Sequence, residues 1–269
     1  MEYPLLNSNN TTSKVDYAII AAMEEELTFF VEKFSNCQSI LLKIGALTFK
    51  VYDYYNSKVL VTATGIGTTF SACVLTIINS HFNPDFFFFC GTAGGIRNHL
   101  KLRDVIVADK AFEAEIQGIF TLLKNTPFEN CLKHPIKNEY FPAHYPADPE
   151  LLKIFHSLEF THEKVYQGTV VSSNAFPAPL ELFKKIKEFD PYSIDMETSA
   201  FYQIAWLLNL KVLAIRGVSN ILNTDGTDEK IHESDVEGSS FAAASVLFAI
   251  LNKLIESKNV CNLKLISSS

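Results

Sequence analysis

Three short stretches of this chain carry residues able to do chemistry. In "MEEE" (23–26), Glu24, Glu25 and Glu26 stand directly behind an apolar run. In "SIDMET" (193–198), Asp195 and Glu197 flank Met196. "KVLAIRGVSN" (211–220) carries Arg216 in its middle and ends on Ser219 and Asn220. Carboxylates can take a proton and can balance positive charge; an amide can both donate and accept a hydrogen bond. A guanidinium inside an apolar run cannot stand alone, because a lone buried charge is too costly. Arg216 therefore requires a carboxylate or several acceptors, and Asn220 faces whatever lies beyond the end of its strand.

The elements that must position these residues read as alternating strands and helices. A first strand over 15–22 leads into a helix over 23–34 that is acidic at its start, where the helix dipole favours carboxylates. Residues 40–65 read as a meander of short strands broken at Gly45 and Asn56. A helix over 67–82 follows. "DFFFFCGTAGG" (85–95) reads as a strand running into a glycine-rich turn. Its consecutive phenylalanines lack period-2 alternation, so both faces are covered, as in the centre of an α/β sheet. A strand over 104–115, a long loop over 120–147, a helix over 149–158 and a strand over 164–173 come next. Then follow a loop "NAFPAP", a helix over 179–188, the short strand "SIDM", a helix over 197–209, the Arg216 strand and a last helix over 237–257.

This order predicts one three-layer α/β domain over 15–257, with loose tails at 1–14 and 258–269. Ligands of such sheets sit beyond the carboxyl ends of the strands. Those ends carry Met23 to Glu26, Gly65 to Gly67, Gly91 to Gly95, Asn174 to Phe176, Met196 and Glu197, and Ser219 and Asn220. Each also has a plainer use. A glutamate triplet complements a helix dipole, glycines make turns, and Phe176, Met23 and Met196 suit a core.

Composition narrows the classes. The chain has 269 residues, 48% hydrophobic, with a formal net charge of -7. That argues against nucleic acid and anionic membrane surfaces as partners. Five cysteines without a CxxC read as reduced thiols of a cytosolic protein, and seven scattered histidines show no metal-ligand spacing. The N-terminal stretch lacks the pattern of a signal peptide, and no apolar run reads as a membrane span.

The ordered set "AIIAAMEEE", "GIG", "CGTAGG", "VVSSNAF", "DMETSA" and "IRGVSN" closely resembles the 5′-methylthioadenosine/S-adenosylhomocysteine nucleosidases, members of the nucleoside phosphorylase superfamily. The match runs from about Val15 to about Ile255; residues 115–150 do not match clearly. The resemblance implies a mixed, twisted, partly closed sheet flanked by helices, no cofactor, no metal, and a homodimer. It implies cleavage of a purine–ribose bond. Glu26 would deprotonate the water that attacks the anomeric carbon, Glu197 would hold the ribose hydroxyls, and Met196 would pack beneath the sugar. Thr92 and Phe176 would line the sugar and base sites with Met23, Ala93, Gly94, Pro177 and Ser219. Arg216 would lie close to the catalytic carboxylates. The phosphorylases hold phosphate with arginines near the first strand end and before the glycine turn. Here those places carry Glu26 and "FFFFC", which favours water as the nucleophile.

Two positions depart from the nucleosidase pattern. The aspartate that protonates the purine N7 is Asn220 here, and an amide is no general acid near neutral pH. The residue after Phe176, which offers its N–H to the adenine edge in the family, is Pro177, which has none. Three readings follow: a nucleosidase of the methylthioadenosine type, a nucleosidase or phosphorylase for a 6-oxopurine nucleoside, and a nucleoside-binding protein that has lost catalysis.

Overall fold

A computed structural model describes residues 14–115, 132–133, 140–141, 144–223 and 233–267. The expected N-terminal tail and most of the 120–147 loop lie outside these residues. Strands β1 (Tyr17–Ala21), β2 (Ser39–Ile44), β3 (Leu47–Tyr54), β4 (Ser57–Ala63), β5 (Phe86–Gly95) and β6 (Val105–Glu113) form the first half of the chain, with helices α1 (Thr28–Lys33) and α2 (Thr68–Phe82). The short strands β7 (Leu132–Lys133) and β8 (Tyr140–Phe141) pair with each other, and β9 (Tyr145–Pro146) pairs with β6. The second half holds α3 (Pro149–His156), β10 (Val165–Ser172), α4 (Leu180–Lys187), β11 (Ser193–Asp195), α5 (Thr198–Leu208), β12 (Val212–Ile221) and α6 (Glu233–Ser267).

The main sheet runs in the order β11-β10-β6-β12-β5-β1-β4-β3-β2. β5 lies at its middle, parallel to both β1 and β12. Phe87, Phe88 and Phe89 are buried, as an unalternating apolar strand requires. Phe89 meets Phe201 of α5 edge-to-face at 5.3 Å, and α6 packs on β5 and β12.

"GTAGG" is strand, not turn. β11 pairs antiparallel with β5 through Ser193–Gly95 and Ile194–Gly94, so β5, β12, β6, β10 and β11 close into a ring. The apolar side chains of Leu222, Ile221 and Val218 pack where side chains on Gly94 and Gly95 would stand. The glycines keep the extended conformation and give their space to β12.

The last helix also differs from expectation. It runs to Ser267, through most of the stretch expected to be a loose tail. Over Glu233–Val260 it is long and apolar enough to cross a membrane by composition alone, which the reading of the sequence missed. Val246, Leu247, Ile250 and Leu251 on it are buried in the core, so core packing accounts for its apolar character. Gly217 of β12 admits it closely: a Cβ there would stand 1.9 Å from the carbonyl oxygen of Ser239.

Candidate active site

β1 is wholly buried and ends at Ala21. The chain then makes one 3-10 turn over Glu24–Leu27. Glu24 and Glu25 are exposed, whereas Glu26 is buried, so the turn separates three identical side chains by direction. The Glu26 carboxylate folds back on the strand end. Its Oε2 accepts from the backbone N–H of Ala22 at 3.1 Å and of Met23 at 3.1 Å. Its Oε1 accepts from the N–H of Thr92 at 2.8 Å and from the Thr92 hydroxyl at 3.2 Å. Four donors hold the carboxylate in one orientation.

Arg216 finds the partner its burial demands. It is 1% exposed and its guanidinium lies 4.4 Å over the Phe89 ring. Nη2 stands 2.8 Å from Asp195 Oδ2 and 3.5 Å from Glu197 Oε2. That nitrogen makes an ion pair without a directed hydrogen bond to either carboxylate. Nε donates to the Thr198 hydroxyl at 3.0 Å. Burial opposes the guanidinium's charge, yet Asp195, Glu197 and Glu26 together hold its pKa above the usual arginine value. The nearest counter-charge is thus Asp195. The sequence required a carboxylate or several acceptors for Arg216 without naming which, although Asp195, two residues before Glu197, was already in view.

Asp195 does cap α5 as well. Its carboxylate accepts from the N–H of Thr198 at 3.3 Å, from the Thr198 hydroxyl, and from the Ser172 hydroxyl at 2.5 Å. Glu197, at the same helix start, accepts from the N–H of Gly67 at 2.9 Å. Burial pushes its pKa up to about 7; Arg216 pulls the other way, Asp195 and Glu26 add to the rise, and the Gly67 N–H opposes it.

These groups border a cavity of about 240 Å³. Met23 and Glu26, from the turn after β1, and Thr92, Ala93 and Gly94, from β5, line one part of it. Phe176, Pro177, Met196, Glu197, Ser219 and Asn220 line the rest. All the residues proposed from the sequence therefore converge there except Arg216, which stands behind Asp195 and Glu197 and does not reach the cavity surface. Asn220 is 6% exposed, and its Oδ1 accepts from the Ser219 hydroxyl at 3.0 Å. Phe176 is 62% exposed, which rules out a core role.

The sequence reading missed Leu222, Ile194, Val236 and Ser173 among the lining residues. Leu222 had a signal, since i and i+2 on an extended segment share a face and Asn220 was already in view. Val236 had none; it comes from the start of α6.

Chemically, the cavity joins apolar walls to carboxylates. Among the described residues no lysine or arginine lines it, and no group of side chains there could hold a metal ion. The Gly67 and Thr92 amides, which could cradle an anion, already donate to Glu197 and Glu26. Such a site suits a neutral ligand that becomes positive as it reacts, attacked by a water whose proton a carboxylate takes.

Comparison with known proteins agrees with this geometry. A 5′-methylthioadenosine/S-adenosylhomocysteine nucleosidase of Listeria monocytogenes is 29% identical over 224 residues, 80% of this chain and 91% of that protein. The structure of the nucleosidase of the same name from S. pneumoniae, with a transition-state inhibitor, superposes with a TM-score of 0.72 at 25% identity, covering 89% of this chain and 99% of that one. A futalosine hydrolase of Helicobacter pylori superposes with a TM-score of 0.75 at 19% identity, covering 89% and 98%, and at that identity it speaks for the fold. The sequence profile described as "Phosphorylase superfamily" matches residues 16–256, and the chain belongs to that superfamily.

Proposed function

We propose that the protein is a purine nucleoside N-ribosyl hydrolase of the 5′-methylthioadenosine/S-adenosylhomocysteine nucleosidase type. The observation that carries this reading is the wall of the cavity: Glu26 held by four donors, Glu197 beside it, and no cation among the described lining residues. Glu26 takes a proton from water, and the water oxygen forms the new bond to the anomeric carbon. The bond from that carbon to the purine breaks, its electron pair leaves with the base, and the base takes a proton from solvent. Glu197 accepts hydrogen bonds from the ribose hydroxyls, and its charge with that of Glu26 stabilises the oxocarbenium-like state. Met196, Thr92 and Met23 contact the sugar. Phe176, Pro177 and Ser219 border the base, and Asn220 faces its five-membered ring. Arg216 acts from behind by fixing the carboxylates.

The test is a panel of nucleosides assayed with and without phosphate and scored for free base. Release that is independent of phosphate supports hydrolysis; a strict phosphate requirement with ribose 1-phosphate as product overturns it.

Asn220 favours a second reading, a nucleosidase for a 6-oxopurine nucleoside. A 6-oxopurine presents acceptors at both N7 and O6, to which an amide can donate. Pro177 has no N–H for an adenine N1.

The proposal includes a cytosolic homodimer, with a place in methionine salvage and nucleoside catabolism. Ile66 and Phe176 line the cavity while 52% and 62% exposed, and Phe70 and Leu180 nearby are also exposed. A second copy would cover such an apolar rim. Light scattering at micromolar concentration should give twice the mass of the chain; a monomer would count against the dimer.

A further inference from the structure

The cavity wall holds a cluster of three carboxylates with one guanidinium behind them. Glu26 comes from the turn after β1, Asp195 from β11, Glu197 from the start of α5 and Arg216 from β12. Of the other titratable groups packed here, Cys90 of β5 and Tyr202 of α5 are fully buried, and burial pushes both well above their ordinary range, so they stay neutral. With every carboxylate ionised, the cluster would carry two more negative charges than positive ones.

The guanidinium is shared unequally. Nη2 is 2.8 Å from Asp195 and 3.5 Å from Glu197. Asp195 is itself fixed by the Ser172 hydroxyl at 2.5 Å, and the Thr198 hydroxyl both donates to Asp195 and accepts from Arg216 Nε at 3.0 Å. Glu26 is satisfied by four donors of its own. Glu197 has the single Gly67 N–H at 2.9 Å and the longer contact to Arg216. Of the three carboxylates it has the fewest hydrogen bonds favouring its charged form.

We propose that Asp195 is a positioning residue for Glu197: by anchoring Arg216 through the ion pair and through Thr198, it leaves Glu197 as the carboxylate of the cluster that changes charge when a nucleoside binds. The free site holds a proton on Glu197. Ribose hydroxyls donating to that carboxylate favour its ionised form, and the proton leaves to solvent. The negative excess of the cluster then appears only when a ligand is in place to use it. This assignment rests on the nucleosidase reading for the identity of the ligand. The anchoring itself is a property of the free protein, and the rise of the Glu197 pKa with burial, Asp195 and Glu26 agrees with it.

The test titrates the protein labelled with ¹³C-glutamate in the absence of any nucleoside, with the Glu197 carboxyl resonance identified by its loss in Glu197→Gln. Wild type should titrate near neutral pH. In Asp195→Asn a negative neighbour is gone and Arg216 is released towards Glu197, so both effects lower the Glu197 midpoint, by about one unit or more. Thr198→Val removes the hydroxyl link without changing charge and should move the midpoint in the same direction by less. A Glu197 midpoint unchanged in Asp195→Asn overturns the proposal. If that variant does not fold, an unchanged midpoint in Thr198→Val overturns it instead. In the wild type and the folded variants the acid limb of kcat/KM against pH should move in step with the resonance, which a purely structural loss would not produce. If no nucleoside is cleaved, the nucleosidase reading fails while the titration still decides the role of Asp195.

Discussion

Arg216 of β12 and Gly91 of β5 are partners in the parallel ladder, and the side chain that Gly91 lacks leaves the space in which charge is assembled. A Cβ on Gly91 would lie 2.5 Å from Glu26 Oε1 and 2.7 Å from Arg216 Nη1. The central strand thus yields a side-chain position so that a carboxylate from one strand end and a guanidinium from its neighbour can approach the same point.

Gly91→Ala tests this directly. The added methyl must displace the Glu26 carboxylate or the guanidinium. The variant is expected to lose about 1–3 kcal/mol of stability in urea unfolding and about 10²-fold in turnover, as a displaced catalytic group does. A variant as stable and as active as wild type would show that Glu26 is not held against this strand.

Glu26→Gln keeps shape and removes the base. Turnover should fall by at least ~10², while calorimetry should still detect a bound nucleoside. Glu197→Ala should instead lose mainly binding. Near wild-type turnover in Glu26→Gln would return Glu26 to the plain role of a carboxylate at a helix start.

Stability should depend on pH through Glu197. Its folded pKa of about 7 lies above the ordinary 4.5. Between those values the folded protein keeps a proton that the unfolded chain has lost, so unfolding releases one proton. The contribution is therefore fully present below about pH 4.5 and is lost as pH rises through about 7, on the order of a few kcal/mol in all. Glu197→Gln lacks this dependence. Its Tm relative to wild type should climb from pH 5 to pH 8; a constant difference would mean that Glu197 is ionised throughout.

Asn220→Asp should introduce a proton donor at the base. Cleavage of methylthioadenosine is expected to rise by a factor of ~10² to 10⁴, and any activity on inosine should drop. Both proteins would be compared on the two substrates at saturating concentration. Rapid cleavage of methylthioadenosine by wild type, with no gain in the variant, would place proton donation elsewhere.

The sequence by itself determined the elements and the ends at which the site assembles. The phenylalanine run reads as a strand covered on both faces, and Arg216 in "KVLAIRGVSN" as a buried charge in need of a carboxylate or several acceptors, because a lone buried charge is too costly. The resemblance singled out Glu26, Met196, Glu197 and Asn220, and all of them reach the cavity. The tertiary structure decided what depends on partners distant in the chain. Which carboxylate meets Arg216 is a matter of β11 lying within reach of β12, and it is Asp195 at 2.8 Å before Glu197 at 3.5 Å. "GTAGG" reads as a turn because glycine permits one, yet it is extended because β11 and β12 supply pairing that no local signal carries. The reach of α6 past residue 257 and the arrival of Val236 at the cavity likewise come from packing on the sheet, since local composition marks a helix without saying what its faces will touch.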